Sequence, residues 1–279
     1  MNYFCSLAFA GALATSLLGF RAAAQTTPPA AGRLHYEGMR RLDTDKVKIT
    51  MVTVNGQQVK PEDMETSIQL PHSVGAEKTL VFSGSYAKEE RDLKALGGLL
   101  ASKSAKAAQP SAPTPLPHGV IIPFLETKYL NLTARTVTSV TTFTSNNTAY
   151  LTPAQPVPAP PAGWQDLPQT KKIAGYLCHK VTVPFKKETY TLWVTTELPF
   201  TYSPVRELTP TQGVVLALSS DQEEYTATKL TAEPVADADV RPSPQAQPVT
   251  EAELKELRAK ASADQHQRVL EQLANQPKP

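Results

Sequence analysis

The chain has 279 residues, with 28 Lys and Arg against 26 Asp and Glu, and this near balance excludes the clustered positive footprint of a nucleic-acid binder. Two cysteines and five scattered histidines provide neither a disulfide framework nor the fixed spacing of a metal motif. No G-x-S-x-G elbow, G-x-x-x-x-G-K-[ST] loop or G-x-G-x-x-G turn occurs, so the expectation is no cofactor and no enzyme of those classes.

Residues 1–24 are apolar from Phe4 to Phe20 and end in Arg21 and Ala22-Ala23-Ala24. This pattern predicts a secretory signal peptide cut near Ala24, although residues 1–3 carry no Lys or Arg. The apolar run is shorter than the ~20 residues a bilayer core demands, so no integral span is expected after cleavage. Cys5 lies at the very start of the run, where a lipid-modified cysteine would follow it. Loss of the leader removes Arg21 and no acid, leaving a net charge of +1 and Cys178 as the one thiol. A lone thiol of this kind reads as a small buried hydrophobe.

Residues 25–32 read as a linker, and 33–232 as the main domain. Proline-rich stretches at 109–117, 153–163 and 233–249 read as extended connections, because proline fixes φ and removes a backbone donor. Between them lie runs of Val, Ile, Thr, Tyr and Phe that predict strands at 34–42, 47–54, 78–83, 119–125, 128–134, 136–144, 171–183, 188–196, 214–218 and 223–230. In the strand from Lys171, alternation sets Ile173, Leu177, His179, Val181 and Val183 on one apolar face and Tyr176, Cys178, Lys180 and Thr182 on the other. Gly175 inside that strand reads as a bulge or a close backbone approach. Residues 184–187 are short enough to join it to the next strand as an antiparallel hairpin, in which Tyr190, Leu192 and Val194 share a face.

Two helices are expected. Residues 86–107 are strong helix formers weakened by Gly97-Gly98, and 250–275 open with Thr250 and Glu253 spaced as a capping box. The predicted fold is therefore all-β, an antiparallel curved sheet or half-open barrel with a C-terminal helical tail.

From Trp164 to Leu218 the chain reads TKKIAGYLCHKVTV, YTLWVTTELPFTYSP and VRELTPTQGVVLAL. This resembles the GLPGLI family of exported bacterial proteins. Lys171 or Lys172, Ile173, Gly175, Tyr176, Cys178 and Lys180 match its first block, and Trp193, Thr195, Glu197, Leu198 and Pro199 its second. Departures are Val181 in place of Ala, Ser203-Pro204 in place of Gly-Pro, and Pro210-Thr211-Gln212-Gly213-Val214-Val215 in place of the name-giving hexapeptide. The resemblance implies export, a β-rich fold and residence in the envelope of Gram-negative bacteria, periplasmic, at the outer membrane or secreted. It implies no activity.

For chemistry, Cys178 and His179 are neighbours on a strand and are expected to point to opposite faces rather than act together. The paired acids Glu89-Glu90 and Glu223-Glu224 read as solvated faces of a helix and a strand. Tyr176, His179, Tyr190, Trp193 and Phe200 are the candidate lining of an apolar concavity for a hydrophobic or peptidic ligand, or for an envelope protein. The expectation is a non-enzymatic binding module. The alternative is an envelope hydrolase built from dispersed His and acidic residues, for which two of His35, His72, His118 and His179 sharing a carboxylate would be the sign.

Overall fold

The computed structural model describes residues 28–41, 52–54, 57–59, 73–91 and 122–274. The predicted leader, the 109–117 stretch, His72, His118 and residues 92–107 lie outside them. In chain order the strands are β1 (Ala31–Arg41), β2 (Val52–Val54), β3 (Gln57–Val59), β4 (Ser73–Gly75), β5 (Lys78–Ser83), β6 (Tyr86–Arg91), β7 (Phe124–Asn131) and β8 (Thr136–Phe143). There follow β9 (Thr148–Leu151), β10 (Gln155–Pro156), β11 (Gln165–Ile173), β12 (Tyr176–Phe185), β13 (Glu188–Thr195), β14 (Val214–Ser219), β15 (Glu223–Ala232), β16 (Gln247–Pro248) and helix α1 (Glu251–Ala274).

All strands but β2 and β3, which form their own hairpin, join one 14-stranded open sheet in the order β11-β12-β13-β14-β15-β1-β5-β6-β7-β8-β9-β16. β4 pairs with β1 and β10 with β8. Pairing is antiparallel except between β16 and β9. The fold is thus all-β with a helical tail, as β-branched runs separated by turns dictate.

The sheet curls around its core. The Tyr36 hydroxyl on β1 donates to the Val215 carbonyl on β14 at 2.9 Å, although β15 lies between the two strands. Two strand spacings of a flat sheet are ~10 Å, beyond the reach of a side chain standing perpendicular to it. The β14–β15 ladder begins only at Ala217, so the Tyr36 hydroxyl takes the carbonyl that β15 leaves unpaired. From β13 the chain returns to β14 through residues 196–213, which lay Leu198, Phe200, Tyr202 and Leu208 into the core. Phe200 packs on Phe82 with centroids 4.8 Å apart, and Tyr202 on Tyr36 at 6.0 Å.

Several local expectations give way. The single strand predicted from Lys171 to Val183 is two, β11 and β12, joined at Ala174 (φ +47°) and Gly175 (φ +91°). Positive φ at both positions is the tight hairpin turn whose twist matches the flanking strands, so Gly175 is a turn residue and not a bulge. The predicted face assignment also fails at its first half: Leu177 is 48% exposed, while Cys178 is fully buried. Buried positions 178, 181 and 183 are not spaced by two throughout, because β11 slips register between Leu167 and Thr170 where it meets Lys180 and His179. Beyond the slip the predicted pattern holds, with Val181 facing Leu192 and Val183 facing Tyr190 across the β12–β13 hairpin. That hairpin turns at Lys186 and Lys187, both at positive φ.

Residues 86–91 are strand β6 rather than the start of a helix. Gly84 at φ +54° closes a β5–β6 hairpin, and β7 pairs on the other side, so two ladders override the helix propensity of Ala-Lys-Glu-Glu-Arg. Described residues of the two strands predicted at 119–125 and 128–134 fall in one strand, β7, which spans Phe124–Asn131. The two described proline-rich segments are folded onto the sheet: β10 lies in 153–163, and in 233–249 Val240 is fully buried and β16 pairs with β9. The edge strand β11 carries Pro168, the register slip, Lys171 and Lys172, features that blunt an exposed edge against pairing with another chain.

Helix α1 starts as its sequence predicts. Thr250 N–H and hydroxyl both donate to Glu253 Oε2 at 2.8 Å, and Glu253 N–H donates back to Thr250 Oγ1 at 3.2 Å. Leu254, 1% exposed, anchors it to the sheet. One turn on, Arg258 donates to Glu126 at 2.9 Å and Thr141 at 2.7 Å and lies over the Phe124 ring.

Candidate functional site

Of the five residues predicted to line an apolar concavity, Tyr190 and Phe200 lie in the packed core and Tyr176 and Trp193 pack against it. Tyr190 and Phe200 are buried core, the Tyr190 hydroxyl donating to Glu223 at 3.2 Å. Trp193 is half-buried beneath the Lys171 ammonium, 4.2 Å from its ring centroid, and pairs across the ladder with Lys180. Tyr176 is half-buried, and the His179 side chain is 40% exposed with Nε2 3.6 Å from Asp166. The inner apolar face that would have formed the concavity is occupied by residues 196–213.

Cys178 and His179 have separate surroundings. Burial pushes the Cys178 thiol up to about 11. His35 Nδ1 lies 3.0 Å from Thr79 Oγ1, so the two imidazoles described on the sheet have different partners and share no carboxylate. Among the described residues no three His, Cys, Asp or Glu side chains are grouped to hold a metal ion. Of the remaining motif positions, Lys172 and Pro199 are exposed and Ile173 is buried, while Glu197 accepts the Leu177 backbone N–H at 3.3 Å.

A different concavity is present. A cleft of about 1080 Å³ opens between β5–β7 and the Pro204–Glu207 segment, and Lys186 of the β12–β13 turn reaches its rim. Its origin is topological. The β6–β7 ladder ends at Glu89 opposite Lys128, but β7 continues along β8 to Phe124, so the sheet splits there and β7 becomes one wall. None of the five predicted residues lines it.

Alternation along these strands makes the inner face change character within two residues. Phe82, Ala87, Leu130 and Val137 form an apolar row; the next row on the same face is Leu80, Glu89, Lys128 and Ser139. The cleft begins at that second row. Its carboxylates are largely matched: Glu90 with Arg33 at 3.0 Å and Lys88 at 2.9 Å, Glu126 with Arg258 at 2.9 Å, Glu207 with Lys186 at 3.6 Å and Glu223 with Arg40 at 3.9 Å. Burial alone would raise the Glu90 carboxyl, but the bond and charge of Lys88, with Arg33, outweigh it and hold it below the ordinary value. Burial drives the Tyr202 and Tyr36 phenols well above theirs, keeping both as neutral donors. Tyr202 donates to Glu89 Oε1 at 3.1 Å.

Sequence reasoning placed Glu89 on a solvated helix; it is a 9% exposed strand residue. The alternation of Ala87 and Glu89 against Lys88 and Glu90 was the available signal, obscured by the helix-forming composition.

The fold and cleft define a curled, open antiparallel sheet with a charged groove at a split in its ladder. No protein-family model matches the chain, and comparison with curated proteins gives no match. Two solved structures of PNGF-II, in space groups P21 and C2, resemble it with TM-scores of 0.47 and 0.48 and 14% identity. The similarity covers 83% of this chain but 34% and 33% of theirs, so the chain spans about a third of the length of the solved chains it matches. At that level the likeness carries no argument about function.

Proposed function

We propose that the chain is a non-enzymatic binding module of the bacterial cell envelope, a divergent relative of the GLPGLI proteins, that takes a peptidic ligand or partner segment in the cleft. The observation that carries this reading is the composition of the cleft wall: charged residues of both signs beside Phe124, Tyr129 and Val205, in a volume of about 1080 Å³. Pockets for small molecules span ~300–1,000 Å³, so this one suits a ligand of several residues. A lipid is disfavoured, since the apolar interior is already filled by Phe200, Tyr202 and Leu208. The separation of His35 and His179 supports a binding rather than a hydrolytic role. Export rests on residues 1–24, and fractionation of the native host tests it: recovery in the envelope or medium supports the reading and recovery in the cytoplasm opposes it.

Hydrogen exchange of the chain incubated with a mixed-sequence peptide library tests binding. Added protection in β6 and in Phe124–Lys128 is expected, and protection elsewhere alone would remove the cleft from the account.

A further inference from the structure

Glu89 stands apart among the cleft carboxylates by its burial. It is the most buried of them, yet among the described residues it has no cation within 4.0 Å. Its Oε1 accepts from Tyr202, and among the described residues Oε2 takes no hydrogen bond. The nearby ammonium groups are directed elsewhere. Lys128, across the ladder from Glu89, has its Nζ 4.0 Å from Glu126. Lys78 donates to the Pro204 carbonyl and sits over the Tyr225 ring, 5.1 Å from its centroid.

A carboxylate this buried with no cation bonded to it is costly to a fold. A fold gains nothing in stability from placing such a group at the foot of an open cleft. Tyr202 holds the carboxylate in place through one oxygen and leaves the other directed to whatever enters. Charge complementarity then defines the entrant. We propose that Glu89 is the counter-ion for a cationic side chain, a lysine ammonium or an arginine guanidinium, of a peptide seated in the cleft, with Tyr202 as the residue that positions it. The inference rests on the peptide-binding reading and adds its chemistry.

The test uses the full chain and a matched set of blocked pentapeptides, Ala-Ala-X-Ala-Ala, with X as Lys, Arg, norleucine or Glu, titrated by NMR. The Lys and Arg peptides are expected to bind at least tenfold more tightly than the norleucine peptide. Glu89→Gln, which retains an acceptor for Tyr202, is expected to abolish that preference. A carbodiimide cross-link from the peptide lysine, mapped by mass spectrometry, is expected at Glu89 and does not depend on how the variant folds. Equal binding of Lys and norleucine peptides, a preference that survives Glu89→Gln, or cross-links only at other carboxylates would overturn the role of Glu89 and leave the cleft as a peptide site. Absence of binding by every member of the set would overturn both.

Discussion

Glu197 accepts the backbone N–H of Leu177 at 3.3 Å, which ties the loop leaving β13 to the first residues of β12. The bond joins the two sequence blocks that carry the GLPGLI resemblance, one around the Ala174–Gly175 turn and one around Glu197-Leu198-Pro199. Both partners are exposed, so Glu197→Ala is expected to cost only about 0.5–1 kcal/mol by chemical denaturation. The local effect is sharper: the Leu177 amide should lose its protection from hydrogen exchange while the Val181 amide keeps its own. Equal exchange at Leu177 in both proteins would contradict the bond.

Gly213 stands where β14 begins beside the end of β13. Its φ is +92°, and a Cβ there would lie 2.5 Å from the Thr195 carbonyl oxygen. Gly213→Ala therefore combines a left-handed backbone, worth about 1–2 kcal/mol, with a collision against main chain that cannot rotate away. A total loss of about 3 kcal/mol or more is expected in urea unfolding. Gly75, whose added Cβ would meet nothing within 4 Å, is the control, and Gly75→Ala should fall within about 0.5 kcal/mol of the parent.

The buried Cys178 thiol, raised from 9.0 to about 11, is expected to resist modification in the native state. At pH 8 its thiolate fraction is roughly a hundredfold below that of an ordinary cysteine, and labelling should accelerate only with unfolding. The same shift sets the sign of a pH effect. Because the folded value lies above the unfolded one, the stability linked to this group is complete below pH 9 and is lost as pH climbs toward 11, where the unfolded thiol ionises first. The stability difference between the parent and Cys178→Ala should shrink by on the order of 2 kcal/mol between pH 8 and pH 11. A constant difference would refute the assignment.

Two truncations separate the helix from the segment before it. Removing residues 250–279 deletes the Leu254 anchor and the Arg258 contacts, an expected loss of about 2 kcal/mol, or roughly 4–8 °C in Tm for a domain of this size. Removing residues 240–279 also strips the buried Val240 and Ala246 and the β16 pairing with β9, and should cost about twice as much. Indistinguishable melting curves for the two truncations would show that 240–249 contributes nothing to the sheet.

The capping box offers a milder pH test. The Thr250 backbone and side-chain hydrogen bonds hold the Glu253 carboxyl below its ordinary value. Its contribution to the helix is therefore present above that ordinary value, near pH 4.5, and fades as pH falls through the lowered one. Helical ellipticity should decline on acidification below about pH 4 in the parent, and Glu253→Gln should remove this dependence.

What the sequence by itself determined is local. Runs of β-branched and aromatic residues made strands, a short connection at Lys186-Lys187 made the β12–β13 hairpin, and a Thr and Glu three apart started α1, because each signal acts between neighbours in the chain. Pairing partners decided the remainder. Tyr86–Arg91 became a strand because β5 and β7 flank it, and the alternation around Cys178 slipped because β11 carries extra residues opposite His179. The cleft exists because the β6–β7 ladder stops before β7 does, and Glu89 is buried because Tyr202, 113 positions away, closes over it. Such contacts depend on where distant segments meet, and no local pattern of residue types encodes them.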